Sequence, residues 1–327
     1  MAGSPKVDPP PRPRHCAAMA DAQHGEQRIA GIAALAATVA MWGFSAVAIK
    51  AVSTSGLVTA TYRLWFAIPL LWLTMLAPSM RRRLKPELLR ASIIGGVLFS
   101  IHQALYFTSL KLTSVANVTI IGALQPALVL LVAGPMFGER ATRRSLLWSG
   151  VAFVGTAMVV LGSARVQSSS ALGDVLAFVN LFAFTAYFLA SKRFRAGIGA
   201  WEYVVGMTTV SGIVVLVLTV STTASFGRPT PREWLILAAI AVFPGTLGHV
   251  LSNWAHAHVS AFVASMILLA VPVLAVGGAW LVLDERVGAL QMAGGVLVLV
   301  SIATIVRSAR KVDAEDLVEG AAFGEAP

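Results

Sequence analysis

Charge is scarce in this chain, and apart from Arg63 what there is keeps to the edges of its apolar stretches. Of 327 residues only 25 are Lys or Arg and 15 are Asp or Glu, a charged share of 12%, against ~25% in an ordinary soluble domain. No carboxylate falls in the middle of an apolar run: Asp174, Glu202, Glu233 and Asp284 all stand at run ends. A proton relay of Asp and Glu through an apolar core therefore has no residues to run on. Cysteine is nearly absent as well, and the single Cys16 excludes a disulfide within the chain. His-Glu-x-x-His, Gly-x-Ser-x-Gly and Walker A sequences are all missing, which argues against metalloprotease, esterase and P-loop chemistry. His256 and His258, spaced i, i+2, do not share a helix face and have no third ligand nearby in sequence. The expectation is no catalytic residue, no metal site and no cofactor.

Apolar residues are what the chain has in abundance: 57% of its length, with a mean hydropathy of +0.78. A membrane-crossing helix needs roughly 20 mostly apolar residues. Ten such runs can be marked out, at 29–52, 58–78, 91–110, 115–137, 145–162, 172–190, 201–220, 234–254, 259–283 and 287–306. The expected fold is an all-α integral membrane protein of ten transmembrane helices. Residues 1–28, with Pro9, Pro10, Pro11 and Pro13 among scattered charges, cannot bury enough surface to order themselves and read as a disordered tail. Residues 308–327 read as a second polar tail.

The basic residues are unevenly shared between alternate loops. One set holds Arg81, Arg82, Arg83, Lys85 and Arg90, then Arg140, Arg143 and Arg144, then Lys192, Arg193 and Arg195, then Arg307, Arg310 and Lys311. The other set holds only Lys50, Lys111, Arg165, Arg228, Arg232 and Arg286. By the positive-inside rule both termini are cytoplasmic, and the expected location is the inner (cytoplasmic) membrane. The net charge of +10 is then explained by loops facing lipid head groups. The partners expected are the bilayer and a small-molecule substrate, with no nucleic acid.

Two stretches repeat one another. Ser114, Pro126, Glu139 and Arg140 recur at the same spacing as Ser260, Pro272, Glu285 and Arg286. Five runs per half is an odd number, so the second half must insert upside down relative to the first. Secondary transporters use that inverted arrangement for alternating access, with the substrate held near the midplane where the halves meet.

Further residues carry a family resemblance. Met41-Trp42-Gly43-Phe44-Ser45 leads to Ala48-Ile49-Lys50, and Tyr62-Arg63-Leu64 follows in the second run. The segment 104–110 leads to Thr113-Ser114-Val115-Ala116, and then come the two Pro and Glu-Arg copies. In this order the chain resembles a ten-helix member of the drug/metabolite transporter superfamily, of the EamA-like type, with repeats at 29–163 and 171–307. The resemblance implies transport, often export, of small metabolites such as amino acids or of drug-like compounds.

The polar residues inside the runs differ between the halves: Gln103 aligns with His249, Phe107 with Asn253, Asn117 with Val263 and Gln125 with Val271. Polar groups in a bilayer face the bundle interior or a wet cavity. The expected substrate pocket therefore draws on Trp42, Gln103, Asn117, Gln125, Asn180, His249 and Asn253. Pro126 and Pro272 are expected as kinks or hinges, and His249 and His102 as the candidates for proton coupling. Arg63 and Lys50 are expected in structural or gating roles, Arg63 with the alternatives of pairing with a substrate carboxylate and of snorkelling to head groups, Lys50 with those of attracting anionic ligands and of a plain end-anchor. Tyr106 and Tyr187 read as interface anchors or ligand contacts, and Glu139 and Glu285 as partners of the adjacent Arg140 and Arg286. Gly134-x-x-x-Gly138 and Gly294-Gly295 allow close helix contact, within the chain or across a homodimer. The function expected is a secondary active transporter, an exporter. A channel, a uniporter and a non-transporting receptor or scaffold are the alternatives.

Overall fold

The computed structural model describes residues 14–76, 86–139, 142–163, 170–195, 197–222, 225–274 and 288–323. The described residues are helical with short connections. The helices are α1 (Arg14–Ala51), α2 (Gly56–Thr74), α3 (Pro86–Leu112), α4 (Val115–Gly122), α5 (Gln125–Phe137), α6 (Arg143–Ser163), α7 (Ala171–Arg195), α8 (Ala200–Thr222), α9 (Pro231–Ile240), α10 (Gly248–Ala255), α11 (Ala261–Leu268) and α12 (Ala289–Phe323). A π-helical turn, Ala241–Leu247, joins α9 to α10. Counting α4 with α5 and α9 with α10, nine helical stretches among the described residues are long and apolar enough to cross a membrane. Ala261–Leu274 is a further, shorter apolar stretch, in the place of the ninth expected span. Glu285, Arg286 and Arg140 lie outside the described residues.

Surface and interior are sorted as lipid requires. Large side chains such as Leu131, Leu147 and Leu235 stand more than 70% exposed, whereas Arg63, His102, Gln103 and His249 are buried. Buried hydroxyls mostly turn back on their own helix, as Thr38 does to the Ala34 carbonyl at 2.9 Å and Thr156 to the Ala152 carbonyl at 2.9 Å. A hydroxyl bonded to its own backbone can stay in a membrane helix at little cost.

The packing follows the duplication. Helix α3, third in its half, lies along α7, which opens the other half, and α10, from the third span of the second half, lies along α1. Helices α2 and α8 occupy equivalent places and also pack together. They are joined by Thr61 and Thr219 hydroxyls at 2.8 Å and by Trp65 Nε1 donating to the Gly212 carbonyl at 3.1 Å. At the end of the bundle where both described chain ends emerge, Glu139 reaches across the halves. Its carboxylate accepts from the Ala261 and Phe262 amides at 2.7 and 3.0 Å and lies 3.4 Å from Lys192 Nζ. The described partners of Glu139 are thus in the other half of the chain.

Two expectations are corrected. The first helix starts at Arg14 and the last runs to Phe323, where polar tails were expected. Ala17, Ala18, Ala20 and Ala22 near the start and Ala314, Ala321 and Ala322 near the end are strong helix formers. The run expected to be unbroken at 234–254 contains the π turn. Pro244 in that turn cannot donate an amide, and its ring crowds the carbonyl four residues back; widening to i, i+5 bonding relieves the clash. Each of the two glycine signals also has a local place within the chain. Gly138 ends α5 with a left-handed φ of 71°. Gly294 meets Gly155 where α12 crosses α6, and a Cβ on Gly294 would stand 2.5 Å from the Gly155 carbonyl oxygen.

That crossing gives a direct test. Gly294→Val should force α6 and α12 apart and lower stability by about 1–3 kcal/mol, read as a lower Tm of the purified protein in detergent.

Candidate functional site

A cavity of about 210 Å³ lies between the halves. Two turns of α1 provide Trp42, Gly43, Ala46 and Ile49, residues that return to the same face every three or four positions. Helix α3 does the same with His102, Gln103, Tyr106 and Phe107. The α4–α5 region adds Val118, Thr119, Gly122 and Gln125, and its counterpart adds Ser265, Leu268, Val271 and Pro272. Ala177, Asn180 and Phe184 of α7 complete the wall.

Both helices that carry the repeated proline are interrupted. Turns at 123–124 and 269–270 separate each Ser-capped helix from the segment holding the proline. In each copy the serine caps the helix start, Ser114 for the Asn117 amide and Ser260 for the Val263 amide. A serine cap followed by a proline break is thus a local instruction written twice. It brings two short helices to the cavity from opposite ends.

The π turn supplies the third irregular wall. The Pro244 carbonyl accepts from Trp42 Nε1 at 3.1 Å and the Gly245 carbonyl accepts from Arg63 Nη2 at 3.1 Å. Only a residue without a side chain allows these approaches. A Cβ on Gly245 would lie 2.8 Å from Arg63 Nε, and one on Gly248 would lie 2.6 Å from Trp42 Nε1. Arg63 Nη1 donates to Gln103 Oε1 at 2.9 Å, and the guanidinium lies 5.5 Å from the Phe99 ring centre. Arg63 is 4% exposed; it turns inward, so the snorkelling alternative does not hold.

An aromatic and imidazole cluster backs the cavity. His102 Nδ1 is 2.8 Å from Asn180 Oδ1, and His249 Nδ1 is 3.2 Å from the Tyr187 hydroxyl. The His249 ring lies 5.0 Å from Trp42 and 4.7 Å from Phe99. Of the residues expected in the pocket, Trp42, Gln103, Gln125, Asn180 and His249 line the cavity, as do His102, Arg63 and Pro272.

Asn253 is one layer behind. Its amide donates to the Tyr187 hydroxyl at 3.2 Å and to the His249 carbonyl at 2.8 Å. Asn117 is elsewhere: it sits in the first turn of α4 and donates to Asp174 Oδ1 at 2.8 Å, beside Thr113, which bonds the same oxygen. That is a tie between α4 and α7 at the bundle end opposite the chain ends. Pro126 is buried next to Gln125 but is not among the lining residues, and Lys50 closes α1 at the same end as Asn117.

Tyr106, for which interface anchor and ligand contact were both open, faces the cavity, and Tyr187 is a buried member of the imidazole cluster. Ser45, Thr119 and Ser265 also line the space and were not anticipated. The i, i+4 step from His102 to Tyr106 was the available signal that Tyr106 shares the face of α3 turned to the cavity.

The model of the EamA-like transporter family matches residues 29–161 and again 171–307. The pseudopaline exporter CntI of Pseudomonas aeruginosa (strain UCBPP-PA14) is 28% identical over 217 residues, 66% of this chain and 74% of that protein. The uncharacterized transporter YyaM of Bacillus subtilis (strain 168) is 25% identical over 236 residues, 68% of this chain and 75% of that protein. A solved crystal structure superposes with a TM-score of 0.70 at 17% identity, covering 88% of this chain and 99% of its own, which shows the shared fold.

The cavity can be mapped chemically because Cys16 is the only native thiol. In a Cys16→Ala background, cysteines at Ala46 and Thr119 should react with a water-soluble maleimide in membranes, and one at lipid-facing Leu131 should not. Reaction at Leu131 but at neither of the others would show that the water-filled space is not this cavity.

Proposed function

This chain belongs to the EamA-like transporter family, and from that premise we propose that it is a secondary carrier of small organic molecules in the inner (cytoplasmic) membrane, working outward by alternating access. The observation that carries the reading is the cavity at the junction of two inverted halves, walled by two broken helices and a π turn. Irregular backbone at membrane depth is tolerated where it lines a cavity. Interrupted helices around a central site are the common construction of carriers with inverted repeats. Outward direction is supported by the relative named as an exporter. The distribution of Lys and Arg favours cytoplasmic termini.

In this reading the two halves, 29–163 and 171–307, rock about the cavity. Pro126 and Pro272 keep the neighbouring turns bendable. Glu139 acts as the latch on the side of the chain termini, since one carboxylate holds two amides of α11 and lies beside Lys192 of α7. Charge-assisted bonds of this kind contribute about 1.5–3 kcal/mol each, enough to bias a two-state equilibrium strongly.

Purified protein in proteoliposomes should show saturable flux, and substrate loaded on one side should accelerate uptake from the other. Flux without saturation or counterflow would indicate a channel, and absence of any flux a receptor or scaffold. Glu139→Gln should weaken the latch and raise maleimide labelling of an Ala46→Cys thiol from the side of the termini. Unchanged labelling would remove Glu139 from the mechanism.

A further inference from the structure

We propose that the cargo is a monocarboxylate without a free ammonium group, its carboxylate bound by Arg63 and a second acceptor on it bound by the Gln125 amide. The inference rests on the carrier reading for transport, and on the cavity alone for binding. Arg63 carries a full positive charge inside the bundle, yet the two acceptors it holds, Gln103 Oε1 and the Gly245 carbonyl, are neutral. Among the described residues no Asp or Glu lines the cavity. A buried charge held only by neutral dipoles is costly, and a pairing anion recovers much of that cost. Arginine suits this role because its charge persists and its fork matches a carboxylate.

Gln125 gives a second, independent indication. It is 3% exposed, lines the same cavity, and its Nε2 has no hydrogen-bond partner. An amide donor buried without an acceptor is costly, so a ligand that brings an acceptor oxygen is favoured there. The two features have the same sign: both want electron-rich oxygen.

Charge and size narrow the class. One guanidinium balances one negative charge, so a phosphonate or phosphate dianion would leave a charge unmatched among the described lining residues. An α-ammonium would meet no carboxylate there, which sets a free amino acid behind its deaminated or N-acylated analogue. Amines would meet repulsion from Arg63. Ile49, Phe107, Val118, Phe184, Leu268 and Val271 line the remaining space and suit an apolar body. An engineered cavity of about 150 Å³ holds benzene, so this one, at about 210 Å³, holds a body of about one ring and a short chain.

Probes with one shared body test the point: 3-phenylpropionate, 3-phenylpropanamide, 3-phenylpropylamine, L-phenylalanine and 2-phenylethylphosphonate, with 4-methylvalerate as a carboxylate of different shape. Binding is read by titration calorimetry on the purified full chain in detergent. At least one of the two carboxylates should bind in the millimolar range or tighter, and 3-phenylpropionate about tenfold or more above the amide, amine, amino acid and phosphonate. Arg63→Gln should bring the carboxylate down to the affinity of the amide, Arg63→Lys should retain part of the difference, and Gln125→Leu should remove the advantage of about threefold to tenfold that 2-oxo-3-phenylpropionate, the same acid with one more acceptor oxygen, has over 3-phenylpropionate. The wild-type ranking decides the matter even if an Arg63 variant does not fold.

Absence of binding by both carboxylates overturns the proposal, and so does an amine, amide, amino acid or phosphonate that binds as well as 3-phenylpropionate. Counterflow driven by 3-phenylpropylamine or L-phenylalanine but by neither carboxylate would sink this assignment and leave the carrier reading standing. Carboxylate binding lost in Arg63→Gln, with no flux of any probe, would do the reverse.

Discussion

Inside a bilayer a backbone carbonyl released from its helix has no water to turn to, and the rest of this structure depends on how that constraint is met. The π turn at Ala241–Leu247 presents the Pro244 and Gly245 carbonyls to side chains of other helices. Trp42 from the first span and Arg63 from the second take one each. The irregular turn thereby fixes the indole and the guanidinium at the cavity, and those side chains in turn satisfy the irregular backbone. Gln103 and His249 are then placed by contact with them, at 2.9 Å from Arg63 and with ring centres 5.0 Å from Trp42.

Much of the fold was legible because two physical signals repeat on a large scale. Runs of apolar residues set the spans, and the recurrence of Ser, Pro and Glu-Arg marks the duplication. The interruptions at 123–124 and 269–270 were readable from Pro126 and Pro272, since proline removes an amide wherever it falls in a helix. The π turn was less readable. Pro244 has no counterpart in the first half, where Leu98 holds the aligned position, so the comparison of halves gave no reason to single it out.

Within the site, polarity located residues more surely than it assigned their surroundings. Gln103, Gln125, Asn180 and His249 line the cavity, but Asn117 is a polar residue of the same kind and lies in a tie to Asp174. The distinction was present in position along the helix: Asn117 falls three residues after a capping serine, at the wet end of a span and not at its middle. Tyr106 illustrates the opposite case, where closeness to a span boundary suggested an anchor but the helical face shared with His102 and Gln103 decides. Glu139 could not have been assigned from sequence, because its described partners in α11 and α7 are more than fifty residues away along the chain.

The meeting of Gly155 and Gly294 has a mechanical meaning. Helices α6 and α12 each close a half, so the pseudo-two-fold exchanges one for the other and their crossing joins equivalent parts of the two halves. The two backbones meet there with Met158, Leu297 and Val298 packed around the contact, so sliding one helix along the other would have to repack those side chains. A tilt of the halves about this crossing would produce its largest displacement far from it, at the rims of the bundle, where Glu139 and Asp174 make their ties.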